Sequence, residues 1–349
     1  MPSFLKKLLF LFLFLSSSSL LAQNPDGSLV KWMRLQEALE AVKQQPRPVL
    51  LDFYTDWCGW CKRMMATTYA DPTLSEYINR NFYPVKFDAE GKDTVRFQGK
   101  TYVPSSPAPK TPHPLAVELL QGKLMYPSTL FLNAYDAKKD EFQIRMLAPG
   151  YLEKKNIEPI LVFTLENVYR NASMEEFTRA FNSAFYDSTL EEKIARIPWK
   201  TPEAVFDGNL KEAKKTLVFL HTDWCNSCRV MERAVFSDSA LAKELAMFEL
   251  VKFNAENPQP LFWNGKLYQK MPADPFPFHP LALEFTRKNF ILPSVALLDE
   301  EGKLLDALPF FMTAPLLADI LHFYSSNTHQ KKSWADYQKE KQPRPSGGQ

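Results

Sequence analysis

Cysteine is scarce in this sequence: its 349 residues include four, and all four lie in two short motifs. No cysteine is left for a structural disulfide elsewhere in the chain. An excess of charge of one sign is also missing, because 42 lysines and arginines and 40 aspartates and glutamates give a net charge of +2. With no basic stripe interleaved with aromatic residues either, nothing here indicates binding to nucleic acid or to acidic membranes.

Long apolar runs are missing after the first residues of the chain. Two lysines precede an apolar run over 8–15, and a serine-rich stretch follows. This pattern predicts a secretory signal over 1–22, so we expect export to the bacterial periplasm or secretion. An uncleaved anchor is the alternative, although the run is shorter than the roughly 20 residues of a spanning helix. After signal cleavage we expect no stable membrane insertion.

The chain repeats itself once. Cys225 lies 167 residues after Cys58, and His279 lies 166 residues after His113. A polar, proline-rich insertion over 90–112 is duplicated too, with FQGKTY in the first half and WNGKLY in the second. The repeat predicts one domain over 24–186, a linker over 187–198, a second domain over 199–341 and a disordered tail over 342–349.

Each half contains a Cys-x-x-Cys motif between a strand-like and a helix-like run: DFYTDWCGWCK over 52–62 and FLHTDWCNSCR over 219–229. The run before the first motif is apolar except for Asp52, which is typical of a central strand covered on both faces. A first helical turn brings two cysteines three positions apart within bonding reach. At a helix N-terminus, the first cysteine of such a motif is stabilised as a thiolate. Cys58 and Cys225 are therefore the predicted attacking thiols, and Cys61 and Cys228 the resolving thiols.

These motifs resemble those of the thioredoxin superfamily. Asp52 lies six residues before Cys58, as the buried carboxylate of thioredoxins does, and Pro127 and Pro293 precede apolar runs as the family's cis-proline does. The resemblance implies an α/β fold of two tandem thioredoxin-like domains. Each would have a central mixed sheet flanked by helices, with the duplicated insertion before the cis-proline.

The resemblance also implies roles for residues around the thiols. Asp52 would accept the proton of Cys61 during resolution, or it is simply a satisfied acid in the core. Pro127 and Pro293, if cis, would hold a substrate peptide as an added strand, whereas trans prolines would only begin a strand. The remaining candidate substrate contacts are Trp57, Gly59, Trp60 and Trp224, whose tryptophans form either a docking rim or partly buried packing.

Other uses of the cysteines stay open. A structural disulfide over so short a loop would stabilise little, and a zinc site of all four cysteines would need pairs about 15–20 residues apart. Copper handling by one motif is a third possibility, favoured in the second half by His221. His113 and His279 could be ligands, but His-Pro more often begins a helix that packs against the insertion. We predict no metal site.

The two halves differ at the motif itself. Phe219 occupies the position of Asp52, so the second site has lost the buried acid. The dipeptide between the cysteines is Asn226-Ser227 in the second half and Gly59-Trp60 in the first. We therefore expect the two sites to differ in redox potential and in substrate fit.

The predicted function is that of an exported thiol:disulfide oxidoreductase acting on protein disulfides without a bound cofactor. Reductase or isomerase activity is favoured over oxidase activity, because the first site keeps the acid that helps to deprotonate a resolving thiol. Such an enzyme outside the cytosol would need a membrane electron donor as a partner, besides substrate proteins with disulfides. The alternative is a chaperone or a peptide- or polysaccharide-binding module with vestigial cysteines.

Overall fold

The computed structural model describes residues 24–207 and 214–341. The predicted signal segment and the predicted tail lie outside the described residues, as does 208–213 in the second half. Within these two ranges no helix has both the length and the apolar character needed to cross a membrane.

The first half is a four-stranded mixed sheet with helices on both faces and a separate hairpin. Its strands are β1 Val49–Tyr54, β2 Tyr83–Asp88, β3 Val95–Phe97, β4 Lys100–Tyr102, β5 Ser128–Asp136 and β6 Glu141–Pro149. Its helices are α1 Leu35–Gln44, α2 Gly59–Ala66, α3 Pro72–Asn81, α4 Pro114–Leu119, α5 Lys154–Leu165 and α6 Met174–Tyr186. The sheet order is β2-β1-β5-β6, with β1 parallel to β2 and antiparallel to β5.

The second half repeats this arrangement. Its strands are β7 Lys215–His221, β8 Phe248–Asn254, β9 Leu261–Trp263, β10 Lys266–Tyr268, β11 Ser294–Leu298 and β12 Leu304–Pro309. Between and around them are α7 Glu191–Ile194, α8 Pro202–Val205, α9 Asn226–Val230, α10 Ala242–Leu245, α11 Pro280–Phe285, α12 Ala314–Ser325 and α13 Trp334–Lys341. The sheet order β12-β11-β7-β8 is the same topology, so the predicted α/β class and the duplication are confirmed.

The central strand β1 explains how the first core is divided. Side chains of a strand alternate between the two sheet faces. Val49, Leu51 and Phe53 pack with the cluster beneath α1 and α4. Leu50 packs with the cluster formed by α2, α3 and α5. Asp52 shares that second face, so it lies below the helix that begins at the first cysteine motif.

The insertion forms a hairpin in each half. In the first half the turn lies at Gln98 and Gly99, both with positive φ. Two successive residues with positive φ make the tight hairpin turn that matches strand twist, and glycine adopts this conformation without strain.

The two histidines of the His-Pro pairs begin helices, which confirms the structural interpretation. His113 Nδ1 accepts the N–H of Leu115 at the start of α4, and Nε2 lies 2.9 Å from the carbonyl oxygen of Asp93 in the insertion. His279 does the same with Leu281 and Gln259. Both ring nitrogens are thus used within the fold.

Helix α6 belongs to the first half in sequence but packs against the second. Phe177 and Phe181 share an apolar cluster with Phe219 and both cysteines of the second motif. The Phe177 ring meets the Phe311 ring edge to face, with centroids 5.1 Å apart. The boundary near residue 186 stays a prediction, and the apolar cluster extends across it.

Candidate active sites

The first cysteine pair lies at the start of α2. Cys58 is the N-cap residue, and the pair is joined as a disulfide with an S–S distance of 2.02 Å. The N–H of Cys61 donates to Cys58 Sγ at 3.1 Å. This position after β1 places the first sulfur beside the unpaired N–H groups of a helix start, which favour negative charge there. Both cysteines are almost fully buried, with 4% and 3% of their surface exposed.

Asp52 is fully buried beneath this helix start. Its Oδ1 accepts the hydroxyl of Thr129 at 3.2 Å and that of Tyr69 at 3.3 Å, whereas Oδ2 has no hydrogen-bond partner among the described residues. Burial raises the pKa of Asp52 to about 7, and the two hydroxyl contacts oppose that rise only partly. A carboxyl that titrates near neutral pH with a free oxygen is able to accept and return a proton.

Three of the residues predicted to contact substrate, Trp57, Gly59 and Trp60, lie next to Cys58 and Cys61 in the sequence. The Trp57 indole N–H donates to the Glu90 carboxylate at 3.1 Å, and 57% of the side chain remains exposed. Trp60 is equally exposed. Gly59 opens α2, and a Cβ there would meet nothing within 4 Å. The peptide bond before Pro127 is cis, as predicted. Their roles in substrate binding stay predictions.

The second cysteine pair repeats the geometry at the start of α9. Cys225 is the N-cap residue, its disulfide with Cys228 has an S–S distance of 1.99 Å, and the Cys228 N–H donates to Cys225 Sγ at 3.2 Å. Trp224 donates to Glu256 at 3.2 Å, as Trp57 does to Glu90. The bond before Pro293 is cis. Each thiol therefore pairs with its own neighbour, and the two motifs do not combine.

In the second half, apolar residues occupy the positions of Asp52 and of both its hydroxyl partners. Strand pairing aligns Asp52 with Thr129 in the first sheet and Phe219 with Val295 in the second. Phe236 takes the place of Tyr69, because each follows the same turn after its cysteine helix. Sequence reasoning noted the change at Phe219 but missed the two partner positions, which the repeat offset could have identified.

A further residue went unnoticed in the sequence: Glu166, just after α5. Its Oε2 accepts the N–H of Ser227 at 2.7 Å and lies 3.7 Å from Cys225 Sγ, and its Oε1 accepts the N–H of Asn226 at 3.1 Å. Burial is the main cause that raises the pKa of this carboxyl. No sequence signal indicated this residue, because it reaches the motif from about 60 positions away across the two halves.

His221 does not combine with the second cysteine pair into a cluster of metal-binding residues. Its ring stacks on Phe219 with centroids 5.7 Å apart, and burial lowers its pKa. Over the described ranges, no group of three or more His, Cys, Asp or Glu side chains is placed to hold a metal ion.

Two family models match the sequence. Residues 12–145 match the family Thioredox_DsbH, described as "Protein of unknown function, DUF255", and residues 200–299 match a family described as "Thioredoxin-like". Each match includes one of the two cysteine motifs.

Curated relatives match short segments. A "Thiol:disulfide interchange protein DsbD" of Vibrio vulnificus (strain YJ016) is 37% identical over 68 residues, 19% of this chain and 11% of the relative. The protein of the same name from Pectobacterium atrosepticum is 40% identical over 40 residues, 12% of this chain and 7% of the relative. The matches thus span about a tenth of the length of these relatives.

Among solved structures, a thioredoxin from Thermus thermophilus is 19% identical, covers 38% of this chain and 84% of its own, and has a TM-score of 0.27. Each half of the chain has the mixed sheet, the cysteine pair at a helix start and the cis-proline that the sequence comparison implied. The chain thus has two thioredoxin-like domains in tandem, and each family model matches one of them.

Proposed function

We propose that this chain is a thiol:disulfide oxidoreductase that exchanges its Cys-x-x-Cys disulfides with those of substrate proteins, without a bound cofactor. The observation on which the proposal depends is the placement of each cysteine pair, which is closed as a disulfide at a helix start with the first sulfur accepting a helix N–H. The names of the curated relatives support the same reaction class. Candidate substrates are proteins with accessible disulfides.

We propose a reaction of two steps at the first site. The Cys58 thiolate attacks one sulfur of a substrate disulfide, the substrate S–S bond breaks, and the other sulfur leaves as a thiolate. Cys61 then attacks the mixed disulfide at Cys58, which re-forms the Cys58–Cys61 bond and releases the reduced substrate. Asp52 lies on the sheet face that α2 covers and accepts the Cys61 proton in this second step. A dithiol donor restores the reduced pair.

Asp52 also supports a reductase or isomerase at the first site. A resolving thiol must lose its proton before it can attack, and a buried carboxyl with a pKa of about 7 accepts that proton at neutral pH. An oxidase instead profits from a strongly stabilised nucleophile thiolate. We further propose that the chain works outside the cytosol, as the sequence pattern of its first 22 residues indicates. A reductase there would draw its electrons from a membrane donor.

The test is reduction of insulin disulfides by dithiothreitol with the wild type, Cys58→Ser, Cys225→Ser and the double variant. We expect the wild type to accelerate the reaction, Cys58→Ser to lose most of the acceleration, and the double variant to match the uncatalysed rate. Equal rates for the wild type and the double variant would make the cysteines vestigial and favour a binding or chaperone module.

A second experiment tests whether the first site reduces or oxidises its substrates. It traps the redox state of Cys58 and Cys61 in living cells with acid and alkylation. We expect a largely reduced pair, with a potential near the roughly −270 mV of thioredoxin. A fully oxidised pair with a potential near roughly −120 mV, as in a strong oxidant, contradicts the assignment as reductase.

A further inference from the structure

We propose that Glu166 of the first domain is the acid–base partner of Cys225 in the second: it keeps Cys225 as a thiol at rest and accepts its proton during attack on a substrate disulfide. This inference rests on the proposed function and goes beyond it, because it makes the second site dependent on a carboxylate that the first domain supplies.

The contact geometry places one carboxylate on two of the N–H groups at the helix start that would otherwise favour a Cys225 thiolate. Glu166 takes the N–H groups of Asn226 and Ser227, the first two of α9, and its Oε2 is 3.7 Å from the sulfur. At a helix start those N–H groups would otherwise favour the thiolate. An ionised Glu166 carboxylate accepts the hydrogen bonds of these N–H groups and also repels the negative charge of a Cys225 thiolate.

The first site provides the contrast within the same chain. The matching amides belong to Gly59 and Trp60, and no carboxylate meets them among the described residues. Its acid, Asp52, instead lies beneath the helix and has hydroxyl partners. The second domain has Phe219 at that position. The second site therefore has its carboxylate at the first cysteine of the motif, and this carboxylate comes from the preceding half of the chain.

No lysine or arginine that lines the cleft at the predicted domain boundary forms an ion pair with Glu166 among the described residues. The charged and titratable lining side chains come from α3, α5, the turn after α5, α6 and α9: Glu76, Tyr77, Arg80, Lys154, Glu158, Arg170, Tyr186 and Arg229. Lys154 pairs with Asp71 on α3 at 3.0 Å. Arg170 lies over the Phe310 ring and Arg229 over the Phe185 ring. Burial thus remains the main influence on the protonation of Glu166.

The proton and electrons balance in a simple exchange. The starting state is the reduced pair, which the dithiol donor of the proposed function supplies. As Cys225 attacks a substrate disulfide, its S–H proton passes to Oε2 of Glu166. The Cys225–substrate S–S bond forms, the substrate S–S bond breaks, and the other substrate sulfur leaves with the electron pair as a thiolate.

The experiment is the pH profile of Cys225 alkylation by iodoacetamide in the reduced full chain, with the labelled cysteine identified by peptide mass. The midpoint of this profile is the pH at which Cys225 is alkylated at half of its maximal rate. In Glu166→Gln this midpoint should fall by about one pH unit, so that labelling of Cys225 near pH 7 is about tenfold faster. Glu153→Gln is the control, because it removes an exposed carboxylate from the start of the same helix. Its profile should match the wild type.

A folded Glu166→Gln protein with the wild-type midpoint overturns the proposal. The wild type supplies a second criterion that does not depend on how the variant folds: the midpoint of Cys225 should lie at least one pH unit above that of Cys58. Equal midpoints also overturn the proposal. Labelling needs no protein substrate, so a failed insulin assay with a shifted Cys225 midpoint would reject the proposed function and keep the role of Glu166.

Discussion

Asp52→Asn should make the oxidised protein more stable at pH 8 by about 2 kcal/mol, and less stable by a similar amount at pH 4. The folded-state pKa of about 7 lies above the ordinary value of 3.8. Three pKa units correspond to about 4 kcal/mol, which Asp52 loses as the pH rises from about 4 through 7. Asparagine avoids that loss but buries an amide N–H beside the unpartnered Oδ2 position, at a cost of about 1–3 kcal/mol.

The measurement is chemical denaturation of the oxidised wild type and variant between pH 4 and pH 8, in which the two stability curves should cross. Asp71→Asn is the control with the opposite sign, because its N-cap contact with Leu74 and its ion pair with Lys154 lower the pKa of Asp71. The stabilisation from Asp71 is present across the whole range from pH 4 to pH 8 and is lost only below it, as the pH falls through that lowered pKa, so Asp71→Asn should destabilise the protein at every pH tested. Curves for Asp52→Asn that stay parallel to the wild type would contradict a buried, neutral Asp52.

The same Asp52→Asn change should slow turnover at Cys58 and Cys61 by about 100-fold, since general acid–base groups contribute factors of that order. Turnover at Cys225 and Cys228 should stay unchanged, because Phe219 stands at the matching position. Single-turnover assays in Cys225→Ser and Cys58→Ser backgrounds separate the two sites. If the isolated second site resolves mixed disulfides as fast as the first, Asp52 does not explain their difference.

Phe177→Ala should destabilise the second domain by about 3–5 kcal/mol, the usual cost of removing a buried phenylalanine. Phe177 is fully buried, and its ring contacts Phe163, Phe181 and Phe311. It precedes the second domain in the sequence but completes the apolar cluster of that domain. The loss of these contacts should therefore lower the stability of residues on both sides of the predicted boundary.

Hydrogen exchange of the β7 and β11 amides reports this effect directly. Tyr337→Ala is the matched control, since Tyr337 holds the equivalent place on α13 and packs against Phe323 and Trp334 within its own half. We expect faster exchange in β7 for Phe177→Ala than for Tyr337→Ala. Equal exchange in the two variants would mean that α6 is not part of the second core.

The sequence alone determined the two cysteine motifs and the place of the first acid. A strand that is apolar on both faces must be covered on both faces, so Asp52 within β1 could be predicted to be buried. The period of the repeat was enough to predict two similar sheets, and the lost acid at Phe219 was visible at the same offset. These features are local or periodic, which is why they can be predicted without coordinates.

Only the tertiary structure decided which groups act on those motifs. Tyr69 and Thr129 reach Asp52 from a helix end and a neighbouring strand. Glu166 reaches Cys225 because α5 and α6 of the first domain pack against the start of α9. Such contacts depend on how whole helices and strands pack against one another. This packing is driven by the burial of apolar side chains, which many different sequences can achieve. A carboxylate that reaches a site across the predicted domain boundary therefore leaves no pattern in the order of the residues.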